Sequence, residues 1–481
     1  MAKPIEWEAE LLAWAEPFLA ALGNKKRRGW APVYLHGLLG PGDRKSVQPM
    51  AARIAPDDHE QLHHFIATSA WDPAPLEAAL AREAERLVGG PDAVLIVDDT
   101  ALLKQGRHSV GVARQYAGQV GKVTNCQALV SLTVARDEVP VPVALRLFLP
   151  EEWTDTPKRL KRCGVPKPAW AYRTKGEIAL AELDRVRAAG VTASTVLADA
   201  GYGKSAAFRQ ALTARGLTWA VGIPHTQNVY PDTVRVRRPR STRGRPRIHG
   251  VPSHASRSAA RLLATARWHA VTWRRGTKGP LHAKFAAVRV RVADGPVITS
   301  GKHLPGDHAW LVGEWRSNDE TKYYLTNHAA TTPLRTLAAV IKARWVCEQG
   351  HQQMKEELGL DHFEGRGWGG LHHHALFSML AFTFLQHLRL RAQRGKKNSG
   401  RSTAAFPQYT FFSTLSGSSS PYIPQNACRF LYHGKYSSPV SSIRKYTRNS
   451  SSPPNESLPI RTRSWYFVKN ALPALGWRPI S

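Results

Sequence analysis

The chain has 481 residues, with 67 Lys and Arg against 36 Asp and Glu and a formal charge of +31. So large a basic excess, spread along the chain and not gathered in one amphipathic helix, argues against an ordinary small-molecule enzyme and favours nucleic acid over a membrane surface as partner. No apolar run reaches the length of a membrane span. The four cysteines Cys126, Cys163, Cys347 and Cys428 show no CxxC or His-rich spacing, so neither a zinc site nor a disulfide framework is indicated and a reducing cytoplasm fits.

Residues 1–90 read as a helical, basic domain suited to gripping DNA. Trp7, Leu11, Leu12, Trp14, Ala15, Phe18 and Leu19 recur at helical spacing, the cluster NKKRRGW follows Gly23, and a second helix runs from Pro75 to Leu87. Glu6, Glu8, Glu10 and Glu16 interrupt the first of these stretches, so it is not a secretion signal.

From Ala93 the pattern turns to strands. AVLIV, QALVSLTVA and VPVALRLFL are three strand-like runs; KGEIALAELDRVRAAG is a helix closed by Gly190, and STVLADAGYG is a short apolar run ending in Asp199. The helix SAAFRQALTARG and the strand LTWAVGIP follow. Three strands, then helix, strand, helix, strand is the order of a ribonuclease H-like domain. The predicted fold is therefore α/β, with residues 91–226 as the first part of that core.

Residues 227–331 lose helical period. They read as a mostly β insertion carrying the arginine-rich loop VRVRRPRSTRGRPRIHG. The core resumes over 332–395 with a long helix from Pro333 to Leu358 and a buried-looking helix GLHHHALFSMLAFTFLQHLRL. From 396 to 481 Ser, Pro, Tyr and Thr dominate and Glu456 is the one acidic residue, a composition expected of a disordered tail or of a shifted reading frame.

The chemistry centres on VLIVDDTALLKQG, Val94 to Gly106, which sets Asp98 and Asp99 where the predicted strand emerges. Burying an unpaired carboxylate costs several kcal/mol, so something must hold these charges. A carboxylate from this strand, Asp199 from a later one and a third from a helix, meeting at one sheet edge, would bind Mg²⁺, a hard cation that takes oxygen ligands. The stretch IKARWVCEQGHQQMKEELGL offers the third in Glu348. At about 100° per residue, steps of four and eleven keep Arg344, Glu348 and Lys355 within roughly 40° on one face. Three adjacent histidines, His372 to His374, point about 100° apart on a helix and cannot all face one ion, so a structural or DNA-facing role is expected of them. Gly201 and Gly203 read as a tight turn and not as a phosphate loop.

VDDT at Val97 to Thr100, GRHSVGVARQYAG at Gly106 to Gly118, LADAGYG at Leu197 to Gly203 and RWVCEQGHQQMKEELGLDHFEGRGW at Arg344 to Trp368 together resemble bacterial insertion-sequence transposases of the DDE type with a YREK signature. The resemblance spans Glu6 to Leu390. It implies a DNA transposase that cleaves at terminal inverted repeats and joins the ends to target DNA, with Mg²⁺ as cofactor (Mn²⁺ substituting), double-stranded DNA as partner, a homodimer in the synaptic complex, and a place in the bacterial cytoplasm at the nucleoid. It assigns Asp98, Asp199 and Glu348 as catalytic metal ligands, with Asp99 as runner-up to Asp98, and Arg344 and Lys355 as DNA contacts. The signature's Tyr position holds Ile341 here. The family's base-stacking aromatic would be sought among Tyr323, Tyr324 and Trp315. Basic charge on the insertion loop, including Arg243, Arg245 and Arg247, would add salt-sensitive phosphate contacts. Two rivals remain: a catalytically inactive, transposase-derived DNA-binding protein, motivated by the unusual tail, and a small-substrate hydrolase with paired carboxylates, which leaves the charge of +31 unexplained.

Overall fold

A computed structural model of the chain describes residues 7–237, 250–276, 279–299, 301–316 and 320–398. The tail from residue 399 onward and the loop holding Arg243, Arg245 and Arg247 lie outside the described residues; residues 396–398 end the last helix. Helices come first: α1 (Trp7–Ala21), α2 (Lys25–Leu39), α3 (Val47–Ile54) and α4 (Ala74–Val88). The basic cluster read as following α1 is the first turn of α2, capped by Asn24, whose side chain accepts from the Lys26 amide at 2.9 Å. Lys25, Lys26 and Arg28 are exposed.

The strands follow as β1 (Gly90–Leu103), β2 (Ala113–Ala117), β3 (Lys122–Arg136) and β4 (Val139–Leu147). Then come α5 (Lys175–Ala188), β5 (Ala193–Ala198), α6 (Ala206–Ala214), β6 (Thr218–Ile223), β7 (Asn228–Pro231), β8 (Arg257–Ser258), β9 (His269–Gly276), β10 (Gly279–Val292), β11 (His308–Trp315) and β12 (Thr321–Thr326). The chain closes with α7 (Leu334–Lys342), α8 (Trp345–Glu356) and α9 (Trp368–Asn398). Among the described residues twelve strands join in one mixed sheet, ordered β8-β7-β10-β11-β12-β6-β5-β1-β3-β2, with β9 on β10 and β4 on β3. The fold is mixed α/β. The β-rich stretch lengthens this same sheet, β12 pairing antiparallel with β6 through Tyr323 and Ile223.

Alternation along β1 sorts the two faces of the sheet. Leu95 and Val97 pack with Leu87 of α4, Leu183 of α5 and Leu212 of α6, whereas Ile96 packs with Leu337 of α7 and Val346 of α8. A further core joins the amino-terminal helices to α9, where Phe18, Tyr34 and Leu80 share one cluster with Phe377, Phe382 and Phe384. Inside it the three histidines are each buried and bonded. His372 meets the Leu147 amide at 3.3 Å, His373 the Trp71 carbonyl at 3.2 Å, and His374 the Tyr34 hydroxyl at 2.8 Å. Their role is structural.

Three expectations need correction. Asp98 and Asp99 do not sit where β1 emerges: β1 continues to Leu103, held by β3 through Leu103↔Cys126, and the strand that ends beside them is β5. The segment ARQYA, half polar because it is an edge strand, forms β2 and escaped an apolar-run criterion. The single helix expected over Pro333 to Leu358 is two, broken at Ala343 and Arg344. No Gly or Pro causes the break; it falls where the Arg344 side chain turns to two carboxylates.

Candidate active site

Parallel pairing of β1 with β5 ends at Val97↔Ala198. The next residue along each segment is an aspartate, so Asp98, inside β1, and Asp199, just past the end of β5, stand side by side with backbones on the order of 5 Å apart. Asp98 points to the same face as Ile96, toward α7 and α8; it is buried, at 8% exposure. Asp199 caps the short turn after β5, its carboxylate accepting from the Tyr202 amide at 3.2 Å.

That turn lies tightly on the sheet. A Cβ on Gly203 would collide with the Gly222 carbonyl oxygen, and one on Gly222 would stand 2.8 Å from the Ala200 amide nitrogen. Gly203→Ala is therefore expected to cost about 1–3 kcal/mol of stability by overpacking, read as a lower urea midpoint. An unchanged midpoint would show that the turn yields freely.

From the opposite layer, α8 brings Glu348 and the residue before it brings Arg344. The Arg344 guanidinium lies 2.6 Å from Asp98 Oδ2 and also pairs with Glu348, spanning the two carboxylates. Burial pushes the Asp98 carboxyl up to about 7; Arg344 opposes the rise, and the charges of Asp199 and Glu348 add to it. Burial works against the Arg344 cation too, but Asp98, Glu348 and Asp199 more than reverse this and keep it charged. Two carboxylates thus share one guanidinium, and Asp199 acts on it through its charge. The excess negative charge, carried by oxygen donors, fits a hard divalent cation.

Asp99 is on the other face of β1, paired with Lys175 of α5, outside this cluster. Lys355 lies on the Glu348 side of α8 but near its far end, its ammonium 2.6 Å from Gln119 Oε1. Ile341 is buried in α7. Of the three aromatics, Tyr324 is tied by its hydroxyl to Glu314 at 2.8 Å, Tyr323 is half-buried, and Trp315 is the most exposed at 38%.

Sequence reasoning missed several neighbours. Tyr202 donates to the Asp98 carbonyl at 3.4 Å and Ser131 to the same oxygen at 3.0 Å, so the backbone beneath the carboxylate is held from both adjoining strands' sides. Tyr202 was visible inside LADAGYG. Nothing in the sequence marked Ser131. Cys347 and His351, flanking Glu348, lie buried behind it, with Sγ and Nε2 3.6 Å apart; their spacing of four was the available signal.

A protein described as a probable transposase for insertion sequence element IS701, from Microchaete diplosiphon, is 29% identical over 192 residues, which is 40% of this chain and 47% of that protein. The chain thus matches about half the length of this relative. The family model described as DDE superfamily endonuclease matches residues 17–280 and so takes in both aspartate strands. That match extends over more than half of the 481 residues, and the chain therefore belongs to the DDE superfamily of endonucleases.

Proposed function

We propose that the protein is a DNA transposase in which Asp98, Asp199 and Glu348 hold divalent metal for strand cleavage at the element's terminal inverted repeats and for strand transfer into target DNA. The observation that carries this is the β1/β5 register, which sets two aspartates together at the point where β5 stops, facing the helix that bears Glu348. The sheet order β4-β3-β1-β5-β6, with β1, β5 and β6 parallel, supports a ribonuclease H-like core. Family membership and the likeness to an insertion-sequence transposase support the substrate.

Mg²⁺ bound at these carboxylates would lower the pKa of the attacking water or hydroxyl and stabilise the leaving oxygen. The chain's own groups do the positioning. Tyr202 and Ser131 fix the backbone of Asp98, and the turn packed on Gly222 fixes Asp199. Arg344 spans Asp98 and Glu348, and its planar fork suits a phosphate oxygen presented to the same place. In hydrolysis water adds to phosphorus and the P–O3′ bond breaks, leaving a 3′-hydroxyl. That hydroxyl then attacks a target phosphodiester in the same site, forming a new P–O bond as the target's own P–O3′ bond breaks and its 3′-hydroxyl leaves.

Lys355, Arg243, Arg245, Arg247 and the exposed Lys25, Lys26 and Arg28 are assigned to phosphate contacts outside the reacting centre. Residues 1–90 serve as a DNA-binding domain, and two copies of the chain bring two ends together at the nucleoid. No described helix is long and apolar enough to cross a membrane.

The test is cleavage of DNA bearing the element's ends by the purified full chain with Mg²⁺ and with chelator. Cleavage only with the metal is expected; binding without cleavage under every metal tried would leave a DNA-binding derivative. Binding should also weaken steeply with salt. For six or more phosphate contacts, affinity falls by about 10³-fold or more between 50 and 200 mM salt. A flat salt response would remove the phosphate contacts from the account.

A further inference from the structure

Behind the carboxylate cluster lies a group of side chains for which the proposed cleavage reaction has no use. Cys347 and His351 stand four residues apart on α8, on the face turned to the sheet, and are 1% and 6% exposed. Their ligand atoms and a carboxylate oxygen of Asp98 all lie within 4.8 Å of one another. Thr133 Oγ1 of β3 is 3.3 Å from the sulfur.

We propose that Cys347, His351 and Asp98 form a Zn²⁺ site, and that Zn²⁺ bound there inhibits the protein by withdrawing Asp98 from the cation its carboxylate cluster takes. The binding half stands on the side chains alone; the inhibitory half rests on the role given to Asp98 above.

Geometry favours zinc. A tetrahedral ion with Zn–S of about 2.3 Å and Zn–N of about 2.05 Å holds its sulfur and nitrogen about 3.6 Å apart. The observed Sγ···Nε2 separation is 3.6 Å. A thiol–imidazole hydrogen bond has the same length, so the metal-free protein keeps these two ligands at the spacing the ion needs. Asp98 brings a third ligand atom to the pair, with water for the fourth position.

Ligand chemistry separates this ion from the one in the cluster. Thiolate and imidazole select a borderline-soft ion, whereas Mg²⁺ takes oxygen ligands. One thiolate and one carboxylate also neutralise Zn²⁺, which suits a buried place. On binding, the Cys347 thiol would give up its proton to solvent as the sulfur ligates the ion, and the His351 ring would ligate through Nε2. Thr133 would then donate to the thiolate and orient it. Entry is through the carboxylate cluster, where the Glu348 side chain is 46% exposed.

Titration of the full chain with Co²⁺, followed by displacement with Zn²⁺, tests the site. The parent should develop the visible bands of tetrahedral Co²⁺ together with thiolate charge transfer. Cys347→Ser should lose the charge-transfer band, and His351→Gln should weaken Co²⁺ and Zn²⁺ binding by at least about tenfold, with circular dichroism confirming that each folds. Either variant suffices if the other does not fold. A parent without the thiolate band, or variants that bind like the parent, would overturn the site.

In the Mg²⁺-dependent cleavage assay, micromolar Zn²⁺ should inhibit the parent and spare Cys347→Ser. Equal inhibition of both would overturn the inhibitory half. Thiolate-ligated Co²⁺ in a parent that cleaves no DNA would instead count against the transposase reading and leave the metal site standing.

Discussion

Asp199→Ala should lower Mg²⁺-dependent cleavage of end DNA by on the order of 10³-fold, because metal stabilisation of the developing charge is worth several kcal/mol and each 1.36 kcal/mol is about tenfold in rate. DNA binding should persist, since the charge that draws DNA is basic and distributed along a chain of net +31. Asp98→Asn and Glu348→Gln should behave alike, as members of one cluster whose charges act on each other. Asp99→Asn is the informative control. Its carboxylate faces the other side of β1 and pairs with Lys175, so its loss should cost cleavage no more than about tenfold. A dead Asp99→Asn beside an active Asp98→Asn would move the first metal ligand to the neighbouring residue and refute the face assignment.

The second large effect concerns stability. Arg146 of β4 lies between Glu77 of α4 and Glu182 of α5, at 3.0 Å and 2.8 Å, and Arg185 binds both carboxylates from the other side. The Glu77 and Glu182 side chains are only 9% and 10% exposed. Removing one partner of a buried ion cluster leaves uncompensated charge, and Arg146→Met should cost about 3–5 kcal/mol in urea unfolding. Adding Glu77→Gln should recover part of this loss, because it returns the cluster to neutrality while Arg185 keeps Glu182. A cost under about 1 kcal/mol for Arg146→Met, the size of a surface pair, would mean that the cluster is solvated.

The pH dependence of that cluster has a defined sign. Burial alone would raise the Glu182 carboxyl, but Arg146 and Arg185 outweigh it and hold the group below the ordinary carboxylate range. A carboxyl depressed in the folded state stabilises fully above its unfolded pKa, about 4.3, and the contribution is lost as pH falls through the folded value. Acid unfolding of Arg146→Met should therefore lack part of the parent's slope below about pH 4.3.

How much could be read without coordinates follows the range of the interactions. The strand containing AVLIV was legible because burial on both faces demands an unbroken aliphatic run. The helix α5 was legible from its period and from Gly190, which takes φ of 100° just past its end. The edge strand β2, half polar, was not, and neither was the break before α8, which falls beside the pairing of Arg344 with Asp98, 246 residues earlier. No local period carries a contact of that span.

The same division holds at the site. The sequence by itself determined the basic excess, the residue types and chain order of Asp98, Asp199, Arg344 and Glu348, and the family likeness they carry. Two decisions belonged to the tertiary structure. Adjacent aspartates in a strand are separated by the pleat, so only pairing with β3 and β5 and the packing of α7 and α8 on one face decide that Asp98 joins Asp199 and Arg344 while Asp99 meets Lys175. Cys347 and His351, whose spacing of four sets them on one helical face, acquire a carboxylate neighbour because α8 docks on β1. That juxtaposition is set by the packing of distant elements, and local propensity has no access to it.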